Sequence, residues 1–131
     1  MIVVDTSALA AVLLREEDGD RYIEAIAMSD GAITSSATLV ELHVVAARRG
    51  ISDHARKLDL LLGELAIRVE SFGPDQLSAA RAAFDIYGKG RHPAGLNFGD
   101  CFAYGLAKTT GYPLLFKGDD FSRTDLKAVL D

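Results

Sequence analysis

The chain holds no second cysteine to pair with Cys101. An internal disulfide is therefore excluded, and a reducing, cytoplasmic compartment is the expectation. No hydrophobic run approaches the roughly 20 residues that cross a bilayer. No basic stretch precedes the apolar start, so a secretory signal is not expected. Repeats, low-complexity tracts and linkers are absent, and the 131 residues suit one domain over 1–131. Positive charge is scarce: 14 Lys and Arg face 19 Asp and Glu, a net charge of −5. That balance argues against nonspecific coating of duplex nucleic acid, which rests on Lys and Arg. It leaves RNA open as a substrate. Basic residues still gather at Arg48 and Arg49, Arg56 and Lys57, and 89–92, and cations held by carboxylates would neutralise charge locally. Finally, no histidine or cysteine spacing suggests zinc.

What is present alternates. Apolar residues make up 49% of the chain, enough for a compact core. Strands are expected at 2–4, 31–35, 66–69 and 112–116. Helices are expected at 8–15, 19–29, 37–49, 54–65, from Pro74 to Tyr87, and near 99–109. Thr6 or Ser7 is placed to cap the first helix, Asp18 the second and Ser36 the third, with Asp5 an alternative cap for the first. Residues 88–96 form a glycine-rich loop. The tail, 122–130, reads as a helical turn and a short edge strand. Strands separated by helices imply parallel crossovers and a sheet covered on both faces, an α/β fold with all strand carboxyl ends along one edge.

Ligands bind at that edge in open α/β sheets. Asp5 ends the first strand after an apolar run. Glu41 lies in a helix that is apolar on several sides. Asp100 falls in a first helical turn among apolar neighbours. Asp119 and Asp120 follow the last strand. Each has an ordinary explanation alone: a cap for Asp5, an ion pair for Glu41, a helix-dipole carboxylate for Asp100, a turn for Asp119 and Asp120. Together they crowd. Two unit charges 4 Å apart repel by about 4 kcal/mol at an effective dielectric near 20. Oxygen ligands of this kind favour Mg²⁺ or Mn²⁺, ions that activate water against a phosphodiester.

Three stretches sharpen this. They are Val3-Val4-Asp5-Thr6-Ser7-Ala8-Leu9, Gly99-Asp100-Cys101-Phe102-Ala103-Tyr104-Gly105-Leu106-Ala107, and Leu114-Leu115-Phe116-Lys117-Gly118-Asp119-Asp120-Phe121. With Glu41 between them, the chain resembles the PIN-domain ribonucleases over essentially its whole length. More narrowly, it is similar to VapC-type toxins of bacterial toxin–antitoxin pairs. The resemblance implies a three-layer α/β/α fold, a homodimer, Mg²⁺- or Mn²⁺-dependent endoribonuclease activity, and a VapB-type antitoxin as partner. It implies that Asp5 and Asp100 are the principal metal ligands, Glu41 the third acid and Thr6 the neighbouring hydroxyl. The fourth acid is Asp120 or Asp119, since Gly118 occupies the position where many PIN domains carry one. Lys89, Arg91 and Lys117 are candidate phosphate contacts, with a solvated surface as the alternative.

Other readings compete. A noncatalytic PIN scaffold is disfavoured because every acidic station is filled. A phospho-accepting receiver module would need an aspartate at a central strand end, whereas Asp53 sits at an expected helix start. Cys101 reads as a small buried hydrophobe, His43 as a surface or structural residue turned from Glu41, and His92 as exposed. Tyr87, Phe98 and Tyr104 could stack on bases but more commonly serve as core or dimer contacts.

Overall fold

The structure, a computed structural model, describes residues 1–130. Four strands, β1 (Ile2–Val4), β2 (Ala32–Ser35), β3 (Ile67–Glu70) and β4 (Leu114–Leu115), form one sheet in the order β3-β2-β1-β4. Every neighbouring pair is parallel. The helices are α1 (Thr6–Leu13), α2 (Gly19–Met28), α3 (Ser36–Arg48), α4 (His54–Glu64), α5 (Pro74–Tyr87) and α6 (Asp100–Thr110). The period-2 alternation of β1 divides the core. Ile2 and Val4 face one cluster with Leu9, Tyr22, Ile26, Leu42 and Leu58, from α1 to α4. Val3 faces the other, with Ala83, Ala103, Tyr104 and Leu106, from α5 and α6. The result is three layers, α/β/α, as expected for strands buried on both faces.

The topology sets the site. β1 is central, and β4 joins it on the side opposite β2, so the strand order reverses between β1 and β4. Val4 pairs with Leu115. The segments leaving these strands, from Asp5 and from Phe116, therefore emerge side by side.

Local expectations were corrected in detail. Asp5, not Thr6 or Ser7, caps α1, and Thr6 is already helical. Ser35 caps α3 through its hydroxyl, while the Ser36 hydroxyl accepts from the Phe72 amide at 3.1 Å. Either serine could cap chemically; where β2 ends decides which one does. Asp18 stands at the start of α2 but makes no capping bond, since Lys117 engages its carboxylate. β2 and β4 are shorter than expected. The tail makes turns at 120–123 and a single bridge, Leu114 to Ala128, instead of an edge strand. Asp53 starts α4, exposed and left-handed at φ 53°, which removes the geometry a receiver would need.

α5 and α6 cross closely because Gly105 has no side chain. A Cβ there would lie 2.7 Å from the Gln76 carbonyl oxygen. Alanine is worth about 1 kcal/mol more than glycine inside an open helix. At this crossing overpacking should outweigh that gain, and Gly105→Ala is expected to lower stability by about 1–2 kcal/mol. Urea unfolding measures it, and an unchanged or raised midpoint would refute the close-crossing argument.

Candidate active site

Asp5 is 3% exposed and Asp100 8%. Buried carboxylates need partners, and here each has only some. Asp5 Oδ2 accepts from the Ser7 amide at 3.0 Å and the Ser7 hydroxyl at 2.7 Å. Its Oδ1 is buried and accepts nothing. Asp5 is thus a helix cap with one oxygen and an unpartnered acceptor with the other. Burial raises its pKa to about 6, against the bonds from Ser7 and with a contribution from Glu41. Asp100 is raised further, to about 8, first by desolvation, opposed by the Asn97 amide, then by Asp5 and by hydrogen bonding and repulsion with Asp120.

Asp100 is held by a reciprocal pair. The Asn97 amide donates to Asp100 Oδ2 at 3.0 Å, and the Asp100 amide donates to Asn97 Oδ1 at 2.9 Å. This is capping-box logic with Asn and Asp at the three-residue spacing. Glu41 reaches the site from α3. Thr6 donates to its Oε1 at 2.5 Å, and its carboxylate occupies the space that a side chain on Gly99 would fill. Asp120 reaches Asp100 electrostatically. Asp119 has no such link; its carbonyl accepts from the Ser122 amide and hydroxyl. The structure therefore gathers Asp5, Glu41, Asp100, Asp120 and Thr6.

Two positioning residues escaped the sequence reading. Asn97 could have been found from the capping-box spacing alone. Ser7 had no such signal, because its second partner lies across the fold: its Oγ accepts from the Lys117 amide at 2.9 Å while donating to Asp5. The strand-end backbone after β4 thereby orients Asp5 through one hydroxyl. Ser7→Ala should lower turnover by about 10–100-fold, as for other lost supports of ligand residues, and steady-state cleavage kinetics measure it. Wild-type turnover in a folded Ser7→Ala protein would remove Ser7 from the site.

The basic residues separate. Lys117, expected as a phosphate contact, is instead engaged by Glu16 at 2.8 Å and Asp18 at 3.0 Å. Those two carboxylates raise its pKa further. It ties the α1–α2 connection to the segment after β4. Lys89 and Arg91 are exposed and make no ion pair among the described residues, and the Arg91 guanidinium lies 5.9 Å from the centre of the Phe84 ring. The Cys101 thiol is buried, and desolvation followed by Asp100 pushes its pKa up, against any nucleophilic role. Tyr104 is a core residue bonded to Asp125, whereas Phe98 is 79% exposed beside Asp100.

The donor set is all oxygen, and one buried carboxylate oxygen is unpartnered, which fits a hard divalent cation. Among the described residues no group of three or more His, Cys, Asp or Glu side chains is disposed to hold a metal ion. Mg²⁺ does not require one, since it usually keeps several waters and takes one or two carboxylates.

A parallel sheet with an acidic cluster at its switch point defines a class, and the comparisons agree with it. The PIN domain family model matches residues 2–127. The chain belongs to the PIN-domain family. Within it, the chain is 48% identical over 128 residues to Ribonuclease VapC30 of Mycobacterium tuberculosis, covering 98% of each chain. It is 45% identical to a Ribonuclease VapC of Mycolicibacterium smegmatis, covering 98% of this chain and 99% of that one. Among solved structures, Mycobacterium tuberculosis VapC20, a Sarcin-Ricin loop cleaving toxin, superposes with a TM-score of 0.73 at 20% identity, covering 96% of both chains. VapBC2 of Rickettsia felis, bound to a promoter DNA fragment, gives 0.72 at 17%, covering 98% and 96%. No helix among the described residues is long and apolar enough to cross a membrane.

Proposed function

We propose that this chain is a divalent-metal-dependent endoribonuclease, the toxin of a type II toxin–antitoxin pair restrained by a VapB-type antitoxin. The observation that carries the chemistry is the unpartnered Oδ1 of Asp5, buried beside Asp100, Glu41 and Asp120. The near-full-length likeness to VapC ribonucleases supports RNA as the substrate. A filled set of acids argues against a noncatalytic scaffold.

Asp5 and Asp100 would hold the cation, Mg²⁺ or Mn²⁺, with Asp120 as the fourth acid. When bound, the cation would neutralise the crowded carboxylates and stabilise charge on the phosphodiester oxygens. Glu41, fixed by Thr6, presents its carboxylate to a water approaching phosphorus. Attack by that water forms a new P–O bond as the P–O3′ bond breaks in line, leaving a 5′-phosphate and a 3′-hydroxyl. Lys89 and Arg91 are proposed to hold RNA phosphates from the loop. A homodimer is proposed on the family resemblance.

Cleavage should stop in EDTA and return with Mg²⁺ or Mn²⁺ but not with Ca²⁺ at equal concentration, because Ca²⁺ prefers longer bonds and more ligands. End-labelled RNA resolved on a gel reads both the rate and the 5′-phosphate end. Full activity in EDTA would refute the metal requirement.

A further inference from the structure

His43 on α3 and His54 at the start of α4 meet across the helix junction. Their Nε2 atoms are 3.2 Å apart, and their rings stand 4.5 Å apart at 68°. They are eleven residues apart in sequence, a spacing with no metal signature, and the carboxylate site makes no use of them. We propose that this pair is a transition-metal site, taking Zn²⁺ or a similar imidazole-seeking ion between α3 and α4.

The distance is the argument. A tetrahedral ion with Zn–N bonds of 2.0–2.1 Å separates two ligand nitrogens by about 3.3–3.4 Å. The observed separation is within a few tenths of an ångström of that chord. A hydrogen bond between the rings would also bring them to 3.2 Å, but it consumes one lone pair and one N–H. An imidazole Nε2 can present its lone pair to a metal, and here two such atoms face each other at that spacing. Neither ring has another hydrogen-bond partner among the described residues. His92, by contrast, commits Nδ1 to the Ala94 amide.

The setting is suitable. His43 lines a cavity of about 340 Å³ between α3 and α4, together with Leu39, Leu58, Leu62 and Asp59. Among the described residues no third metal-ligating side chain completes the set, so water takes the remaining positions. The borderline imidazole pair selects borderline ions, whereas an oxygen-only carboxylate site suits Mg²⁺ or Mn²⁺. Two chemically distinct ions thus find separate places. An ion on His43 and His54 would clamp α4 to the helix that carries Glu41.

The experiment uses the full, untagged chain in excess Mg²⁺, titrated with Zn²⁺ by calorimetry and followed at the imidazole nitrogens by ¹⁵N NMR. The expected result is one Zn²⁺ per chain, with the Nε2 signals of His43 and His54 shifting while those of His92 stay. Affinity should fall at least tenfold in His43→Gln and in His54→Gln alike. Co²⁺ substitution should give a visible absorption band that both variants lose. Absence of binding at 100 μM Zn²⁺, wild-type affinity in either variant, or Zn²⁺ shifts confined to other residues would overturn the proposal.

Discussion

Asp100→Asn protein should melt higher than wild type in EDTA and should cleave RNA on the order of 10²–10³ times more slowly in Mg²⁺, the scale of one lost electrostatic contact to a transition state. Both effects come from one charge. Asp100 and Asp5 have folded pKa values raised to about 8 and about 6, above the ordinary 3.8, chiefly because burial disfavours the anion. For raised acids, stability is full below the unfolded pKa and is lost as pH rises through the folded one. Metal-free protein should therefore be most stable in mild acid and should weaken between about pH 4 and pH 8. Asparagine keeps the shape and an oxygen to accept from the Asn97 amide, but it carries no charge to desolvate. A melting-temperature rise on the order of 5 °C at pH 8 is expected, shrinking towards pH 4. Mg²⁺ should raise the wild-type melting temperature at pH 8 and have much less effect on the variant, since ligand binding stabilises only the state that binds. Scanning calorimetry across pH, with and without Mg²⁺, checks each arm. A variant less stable than wild type at pH 8 would mean Asp100 is a structural carboxylate, not a site built for a cation.

Gly99→Ala should leave the fold intact and disable the enzyme by about 10–100-fold, as expected for displacing a supported site residue. Gly99 has φ −65° and ψ −36°, ordinary for alanine, so no backbone strain arises. A Cβ there would instead collide with the carboxylate end of Glu41. That end belongs to a flexible side chain on the opposing helix, so it can swing away at little cost in stability. Stability should stay within about 0.5 kcal/mol of wild type. What moves is the acid. Once displaced, Glu41 can no longer keep both its bond from Thr6 and its place beside Asp5 and Asp100. In a Glu41→Gln background, Gly99→Ala should cost little more, because the two changes act on one group. Full additivity in that double-mutant cycle would show that Gly99 acts elsewhere, and a large loss of stability would show that the backbones, not the side chain, collide.

These outcomes separate what residue order dictates from what only packing decides. Ile2–Val4 followed by Asp5 announces a buried strand ending in a carboxylate, since apolar runs of that length suit a covered parallel sheet. The helix periodicities from Tyr22 to Tyr104 are equally local, and so the three layers were legible. The positions of Asp5, Glu41 and Asp100 were legible for the same reason, each being a charge where its neighbours are apolar. The sequence placed the α3 cap on Ser36, one residue past the Ser35 that serves, and could not choose between Asp119 and Asp120 as the fourth acid. Adjacent residues with the same chemistry are distinguished only by direction. Lys117 illustrates the limit best: its charge beside the acids suggested phosphate, but Glu16 and Asp18, a hundred residues earlier, reach it first. Ser7 and Lys117 meet through the pairing of β1 with β4, and His43 meets His54 through the packing of α3 on α4. Local order determined the fold class and the acids at the ends of its elements. The tertiary structure decided how Asp5 is aimed, because Ser7, which holds its Oδ2 locally, is itself fixed by the Lys117 amide that the pairing of β1 with β4 brings to its hydroxyl.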